Sequence, residues 1–121
     1  MSKRALINLL EDIIESCNRI VHFCLGLDYK GFIVDIKTQD AVLRNFEIIG
    51  EAVKVIDKAI KRKYPDVQWK RIAGFRDVLI HHYFGVNWDS VWETVRKDIP
   101  VLQLQVNEII EKEFPPNSNL F

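Results

Sequence analysis

The stretch from Asp35 to Lys63, DIKTQDAVLRNFEIIGEAVKVIDKAIKRK, decides the fold class. Its apolar residues recur at alternating steps of four and three, namely Val42, Phe46, Ile49, Val53, Ile56 and Ile60. A seam with this spacing is typical of a helix that packs in a bundle. We therefore predict one long helix, the second of the chain, over Asp35 to about Lys63.

Helices are predicted on both sides of this stretch. An apolar stripe at helical spacing predicts a first helix from Ser2, as N-cap, to about Leu25, with Gly26 as its stop. Residues 27–34 have no helical period and are interpreted as a connection. After Pro65 the pattern predicts a third helix from Gln68 to about Phe84.

The last part of the chain predicts a fourth helix that starts after an Asn87 cap. Pro100 fits either the first turn of a renewed helix after an Asp98 cap or a kink. Trp88 and Trp92 are four residues apart, which favours packing in the core or an interface over stacking on bases.

Together these patterns predict an all-α, four-to-five-helix antiparallel bundle. We expect residues 1–114 to form one domain and residues 115–121 to form a C-terminal tail. The composition is that of an ordinary globular protein, with 48% apolar and 28% charged residues in 121. No apolar run approaches the ~20 residues of a membrane helix, and no secretory leader is evident, so we expect a cytoplasmic protein.

Charge and cysteine content limit the function classes. Seventeen basic and seventeen acidic residues balance, which argues against broad coating of nucleic acid but leaves room for a local basic cleft. Cys17 and Cys24 lie seven residues apart and are predicted to be core thiols. A metal site made of these two residues and His22 is the alternative, but it lacks a fourth ligand at finger-like spacing, so we predict no metal and no cofactor.

The stretch with the most chemistry is RDVLIHHY, residues 76–83, late in the predicted third helix. The Arg76 guanidinium can fork onto phosphate oxygens, and the His81 imidazole can exchange a proton near neutral pH. These two groups suffice for phosphodiester cleavage through a ribose 2′-hydroxyl without a metal. The alternative is a solvated basic helix end, where histidine suits the helix dipole.

Helix geometry leaves the assembly of this site open. Seven residues fall about 20° short of two turns, so Arg76 and Tyr83 share a face, whereas five residues rotate His81 about 140° away. Either the helix tightens before Gly85, or a second subunit completes the cleft. Nearby cations offer further contacts: Lys70 and Arg71 can attract a polyanion, and the run 61–63 (KRK) can bind phosphate or simply end a helix.

In these residues the chain resembles the HEPN superfamily, and within it the HepT-like toxins. The resemblance covers about residues 6–111. It is most specific in Arg-x4-His-x-Tyr, met by Arg76, His81 and Tyr83, with Asp77 at the polar position after the arginine. The segment 44–52, RNFEIIGEA, is similar to the family's second-helix signature. A second imidazole, His82, departs slightly from the pattern.

The resemblance implies a homodimeric bundle that cleaves RNA and is silenced by a partner nucleotidyltransferase. Carried over, Arg76 binds the scissile phosphate, His81 transfers the proton, and Tyr83 is the residue modified with AMP. Asp77 either orients an imidazole or the arginine or is a carboxylate on the helix surface. His82 either is the second acid–base group or, as we favour, faces solvent. Two other functions stay open: a non-catalytic dimeric module that binds the nucleotidyltransferase or a nucleotide, and a purely structural helical dimer.

Overall fold

The computed structural model describes residues 1–81 and 85–116, with the backbone alone for residues 76–81, and these residues form helices and connections without strands. In chain order the helices are α1 Lys3–Phe23, α2 Tyr29–Ile33, α3 Ile36–Val55, α4 Lys58–Lys63, α5 Trp69–His81, α6 Trp88–Glu93 and α7 Ile99–Glu113. The prediction of an all-α fold is confirmed.

The long helices α1, α3, α5 and α7 build the bundle. α3 packs against both α1 and α5, and α7 packs against α1. Their inward faces carry the fully or almost fully buried side chains Leu10, Ile13, Cys17, Ile20, Val42, Phe46, Ile49, Val53, Leu102, Val106 and Ile109. No described helix has the length and apolarity needed to cross a membrane.

Local capping sets the helix ends as predicted in several places. The Ser2 hydroxyl accepts a hydrogen bond from the Ala5 N–H at 3.0 Å and starts α1. Beyond the end of α1, Gly26 has a φ of 78°, a left-handed conformation that favours glycine. The Asn87 side chain accepts from the Ser90 N–H at 3.2 Å and caps α6.

The interpretation of residues 27–34 as a plain connection was wrong, because they contain the short helix α2. The Asp28 carboxylate accepts from the Gly31 N–H at 2.8 Å and caps this helix. Phe32 is fully buried, stacks on Trp92 at 4.9 Å between ring centroids and meets Trp88 edge-on at 5.9 Å. Both tryptophans are half-buried and pack against the core, which agrees with the prediction of packing.

The prediction of one helix from Asp35 to Lys63 was also wrong. The helix is interrupted at Ile56 and Asp57, because the Asp57 carboxylate accepts a hydrogen bond from the Ile60 N–H at 3.0 Å and caps the start of α4. The same carboxylate lies 3.4 Å from the N-terminal ammonium. Ile56 stays buried across the break, so the apolar seam continues although the helix does not.

Near the C-terminus, Pro100 lies in the first turn of α7, as one of the two predictions had it. Asp98 occupies the N-cap position of α7, as predicted, but its side chain makes no capping hydrogen bond. Instead a π-helical segment, Thr94–Asp98, carries the chain from α6 into α7. The Asp98 carboxylate is thereby left to pair with Arg71, 2.9 Å away.

Both cysteines are buried, so the prediction of core thiols is confirmed. Cys17 is fully buried, and burial raises the pKa of its thiol to about 12. The pKa of the Cys24 thiol is raised to about 11, mainly by burial and further by the charge of Asp35. Thiols with such pKa values carry almost no thiolate at neutral pH and are poor ligands and nucleophiles.

Candidate functional site

Helix α5 carries the predicted catalytic motif. The backbone of Arg76, Asp77 and His81 is helical within α5, while their side chains lie outside the described part of the structure. His82 and Tyr83 lie outside the described residues altogether. The roles of these five residues therefore stay predictions, and the described surroundings of α5 are what the structure contributes to the site.

The first half of α5 is held by buried contacts. The Trp69 indole N–H donates to the Tyr64 carbonyl at 2.9 Å, and the Trp69 side chain is only 8% exposed. One turn later Ile72 is buried in the core. Phe75 stacks on Phe46 of α3, with 5.7 Å between the ring centroids. These contacts fix the helix on α3 directly before the motif begins at the next residue.

A small apolar pocket of about 160 Å³ lies between α3, α5 and α7. Phe46, Ile72 and Phe75 are among the residues that form its wall. At its rim the Arg71 guanidinium donates to the Asp98 carboxylate at 2.9 Å, so the two charges there are paired. Among the described residues of α5, Phe75 is the last that lines this pocket, and the motif begins at the next position of the helix.

An open groove of about 840 Å³ lies on another side of α5, where the start of this helix faces α4. We call it the basic groove and define it by five cations that line it: Lys58, Lys61, Arg62, Lys70 and Arg71. Its remaining lining residues are uncharged: Pro65, Val67, Gln68 and Trp69. A chain with no net charge thus concentrates five of its seventeen Lys and Arg residues in one groove.

The cations of the basic groove are poorly neutralised. Within the described part of the chain, only Arg71 of these five has a carboxylate within 4.0 Å, that of Asp98. Burial lowers the pKa of the Lys61 ammonium; the charge of Asp57 opposes this shift, and that of Lys58 adds to it. Five cations that are only partly offset by Asp57 and Asp98 raise the local positive potential, which favours an anionic ligand.

The sequence analysis missed one buried polar group on α3. Asn45 is 4% exposed, and its amide donates to the Ala41 carbonyl at 2.8 Å. Its Oδ1 atom finds no hydrogen-bond partner among the described residues. The only sequence signal was an amide next to the core residue Phe46. By contrast, the neighbouring Arg44–Glu47 pair, 3.4 Å apart, lies on the surface.

Metal coordination has no candidate ligand set in the described residues. Within this part of the chain, no three His, Cys, Asp or Glu side chains are placed to hold one ion. The charged residues that line the basic groove are cations, which suit a phosphate rather than a metal ion.

Comparison with known proteins gives the family. The family described as "Ribonuclease HepT-like" matches residues 13–109. A protein of Caldanaerobacter subterraneus subsp. tengcongensis that is provisionally named an RNase is 46% identical over 104 residues, or 86% of this chain and 93% of that protein.

Two archaeal proteins are similar to the chain as well. The protein named "Probable ribonuclease HepT" of Thermococcus cleftensis is 46% identical over 84% of this chain and 92% of its own length. A provisionally named RNase of Methanocaldococcus jannaschii is 43% identical over 92% of each chain. No solved structure matches with significance. The family match spans most of the chain, and the chain belongs to the HepT-like ribonuclease family.

Proposed function

We propose that this protein is a metal-independent endoribonuclease and the toxin of a toxin–antitoxin module. The observation that carries the proposal is the Arg76-x4-His81-x-Tyr83 motif on and after α5, in a chain that belongs to a ribonuclease family. The stacking of the half-buried Phe75 on the buried Phe46 supports it, because a firmly held helix is a suitable platform for a catalytic pair.

The reaction requires two proton transfers, one from the ribose 2′-hydroxyl and one to the leaving 5′-oxygen. His81 removes the proton of a ribose 2′-hydroxyl, whose oxygen attacks the adjacent phosphorus, or it protonates the leaving 5′-oxygen; His82 is a candidate for the other transfer. Arg76 binds the phosphate and stabilises the charge that builds on its oxygens in the transition state. Asp77 orients one of these groups. The products are a 2′,3′-cyclic phosphate and a 5′-hydroxyl.

Regulation is proposed to act through Tyr83. A partner nucleotidyltransferase, the antitoxin, transfers AMP to the Tyr83 hydroxyl. On an ideal helix Tyr83 is almost two turns beyond Arg76, on the same face. The added phosphate would pair with the guanidinium and repel an RNA phosphate. We further propose that the active form is a homodimer, because the helix rotation between Arg76 and His81 leaves room for a second subunit to complete the cleft.

The test is cleavage of a single-stranded RNA by purified protein in the presence of EDTA. We expect cleavage to continue, with the cyclic phosphate and 5′-hydroxyl ends identified by mass spectrometry. Arg76→Ala and His81→Ala should each slow cleavage by about a thousandfold or more without loss of helicity. Arg19→Ala and His22→Ala remove the same side-chain types from exposed positions of α1 and serve as controls.

Two outcomes would contradict the proposal. Cleavage that survives in both motif variants would exclude this mechanism. A wild-type protein that binds RNA or its partner but cuts nothing at high concentration would favour a non-catalytic binding module. The modification is tested separately by mass spectrometry after co-expression with a partner nucleotidyltransferase. Adenylylation should be present in the wild type and absent in Tyr83→Phe.

A further inference from the structure

The basic groove has a composition that fits the backbone of a nucleic acid. Its five cations come from two helices, and no acidic residue lines it. Lys and Arg side chains that are not fully neutralised by carboxylates bind phosphates and release the counterions that surround the nucleic acid. A volume of about 840 Å³ and an open shape suit a strand that runs through, rather than one small enclosed ligand.

The groove offers little that could read bases or anchor a protein. Its one aromatic residue, Trp69, is 8% exposed, and its indole N–H is already bound to the Tyr64 carbonyl. Val67 in its floor is 4% exposed. Base stacking needs an exposed ring, and protein interfaces depend on exposed apolar anchors. The groove therefore favours phosphate contacts that do not depend on sequence.

Helix α5 connects the groove to the catalytic motif. Lys70 lies at the groove end of α5, and position 81 lies eleven residues later on the same continuous helix. Eleven residues make about three turns, so position 81 is on the same side of α5 as Lys70, about 16 Å further along. A single strand of RNA several nucleotides long spans that distance.

We infer that the basic groove binds the RNA backbone beside the cleavage site, as a sequence-independent substrate subsite. The inference rests on the proposed function, since it places the scissile phosphate at the end of α5. It predicts that affinity for long RNA depends on Lys61, Arg62 and Lys70, and that the chemistry at the motif does not.

The test compares two triple variants of equal charge. The groove variant is Lys61→Gln/Arg62→Gln/Lys70→Gln. The matched control also replaces two lysines and one arginine, at the exposed positions Lys30, Lys37 and Arg19, which do not line the groove. Both are made in the His81→Ala background, and binding of a labelled RNA of about ten nucleotides is measured by fluorescence anisotropy over a range of salt concentrations.

The groove variant should bind this RNA about ten- to a hundredfold more weakly than the control at low salt. In a plot of log affinity against log salt concentration, the slope should be smaller in magnitude by about 2, because three phosphate contacts are lost at about 0.7 each. The loss should be the same for two RNAs of different sequence. Circular dichroism should show that both variants keep their helicity.

Cleavage assays with both triple variants that retain His81 separate this inference from the proposed function. The groove variant should raise KM for the long RNA and leave cleavage of a dinucleotide unchanged. If the groove and control variants bind RNA equally well while the wild-type protein still cleaves it, the groove is not an RNA-binding subsite. The proposed nuclease function would then be unaffected. Weaker binding of polyglutamate but not of RNA would also overturn the RNA-binding subsite, in favour of an acidic protein partner. If the wild-type protein itself does not cleave RNA, the proposed function would instead be contradicted.

Discussion

Helix α5 presents two different surfaces near its start, and Arg71 borders both. On the side of the apolar pocket, Arg71 is paired with Asp98, and most of the lining is aromatic or aliphatic. On the side of the basic groove, four further cations have no carboxylate within 4.0 Å among the described residues. The difference shows that one helix can use one side for stability and another for charge, so the two can be perturbed separately.

The largest expected effect comes from the apolar pocket. Ile72→Ala removes a buried side chain from its wall and should lower the free energy of unfolding by about 2–5 kcal/mol. RNA affinity per folded molecule should not change, because no charge in the basic groove is altered. Urea denaturation and anisotropy measure the two quantities.

Val101→Ala is the matched control for this pocket, since Val101 lines it but is 51% exposed. Its effect on the free energy of unfolding should stay within about 0.5 kcal/mol. If Ile72→Ala binds RNA more weakly under conditions in which it is fully folded, the two sides of α5 are not independent.

A smaller effect is expected where the segment between α4 and α5 is tied to α7. Lys63 lies 2.7 Å from the Glu113 carboxylate, and the Tyr64 hydroxyl donates to it. The bonds from Lys63 and Tyr64 lower the pKa of Glu113 from its ordinary 4.5. An acid with a lowered pKa stabilises the fold above its ordinary pKa, and this stabilisation is lost as the pH falls through the lowered value.

Glu113→Gln should therefore cost about 1 kcal/mol near pH 7, with the difference from wild type shrinking below about pH 4.5. Thermal unfolding at several pH values measures this. Glu108→Gln is the control, because its pair with Lys112 is 58% exposed on both sides and should contribute only a few tenths of a kcal/mol. A cost that grows on acidification would contradict the assignment.

The smallest effect is expected at the border of the two surfaces. Asp98→Asn removes the charge that neutralises Arg71 and should tighten RNA binding by about two- to threefold, most at low salt. Stability should fall by less than about 1 kcal/mol, because the pair is partly exposed. Glu93→Gln makes the same charge change one turn away and breaks the pair with Lys97, so it is the control. Equal tightening in both variants would point to net charge alone.

Most of the bundle could be predicted because its signals are local. Ser2, Asn87 and Gly26 mark helix ends through their own hydrogen bonds or backbone conformation. Helix α2 was missed because its five residues are too few to show a helical period. The only signal for it in the sequence was the capping residue Asp28. The missed break before α4 was hidden because apolar spacing continues across Asp57.

The surroundings of the site were less predictable. The motif at residues 76–83 was visible in the sequence, because its residue types and order carry the chemistry. The basic groove was not, since it forms only when Lys58, Lys61 and Arg62 of α4 come beside the start of α5. The pairing of Arg71 with Asp98, 27 residues apart in the chain, likewise depends on packing between helices.

The most direct measurement uses an RNA that the protein cleaves at a known link. The 2′-hydroxyl of the nucleotide before that link is replaced by hydrogen, and every other position stays ribose. If Arg76 and His81 act through the 2′-oxygen, as proposed, cleavage at this link should stop while other links are still cut. Cleavage that continues at the deoxy position would contradict the account.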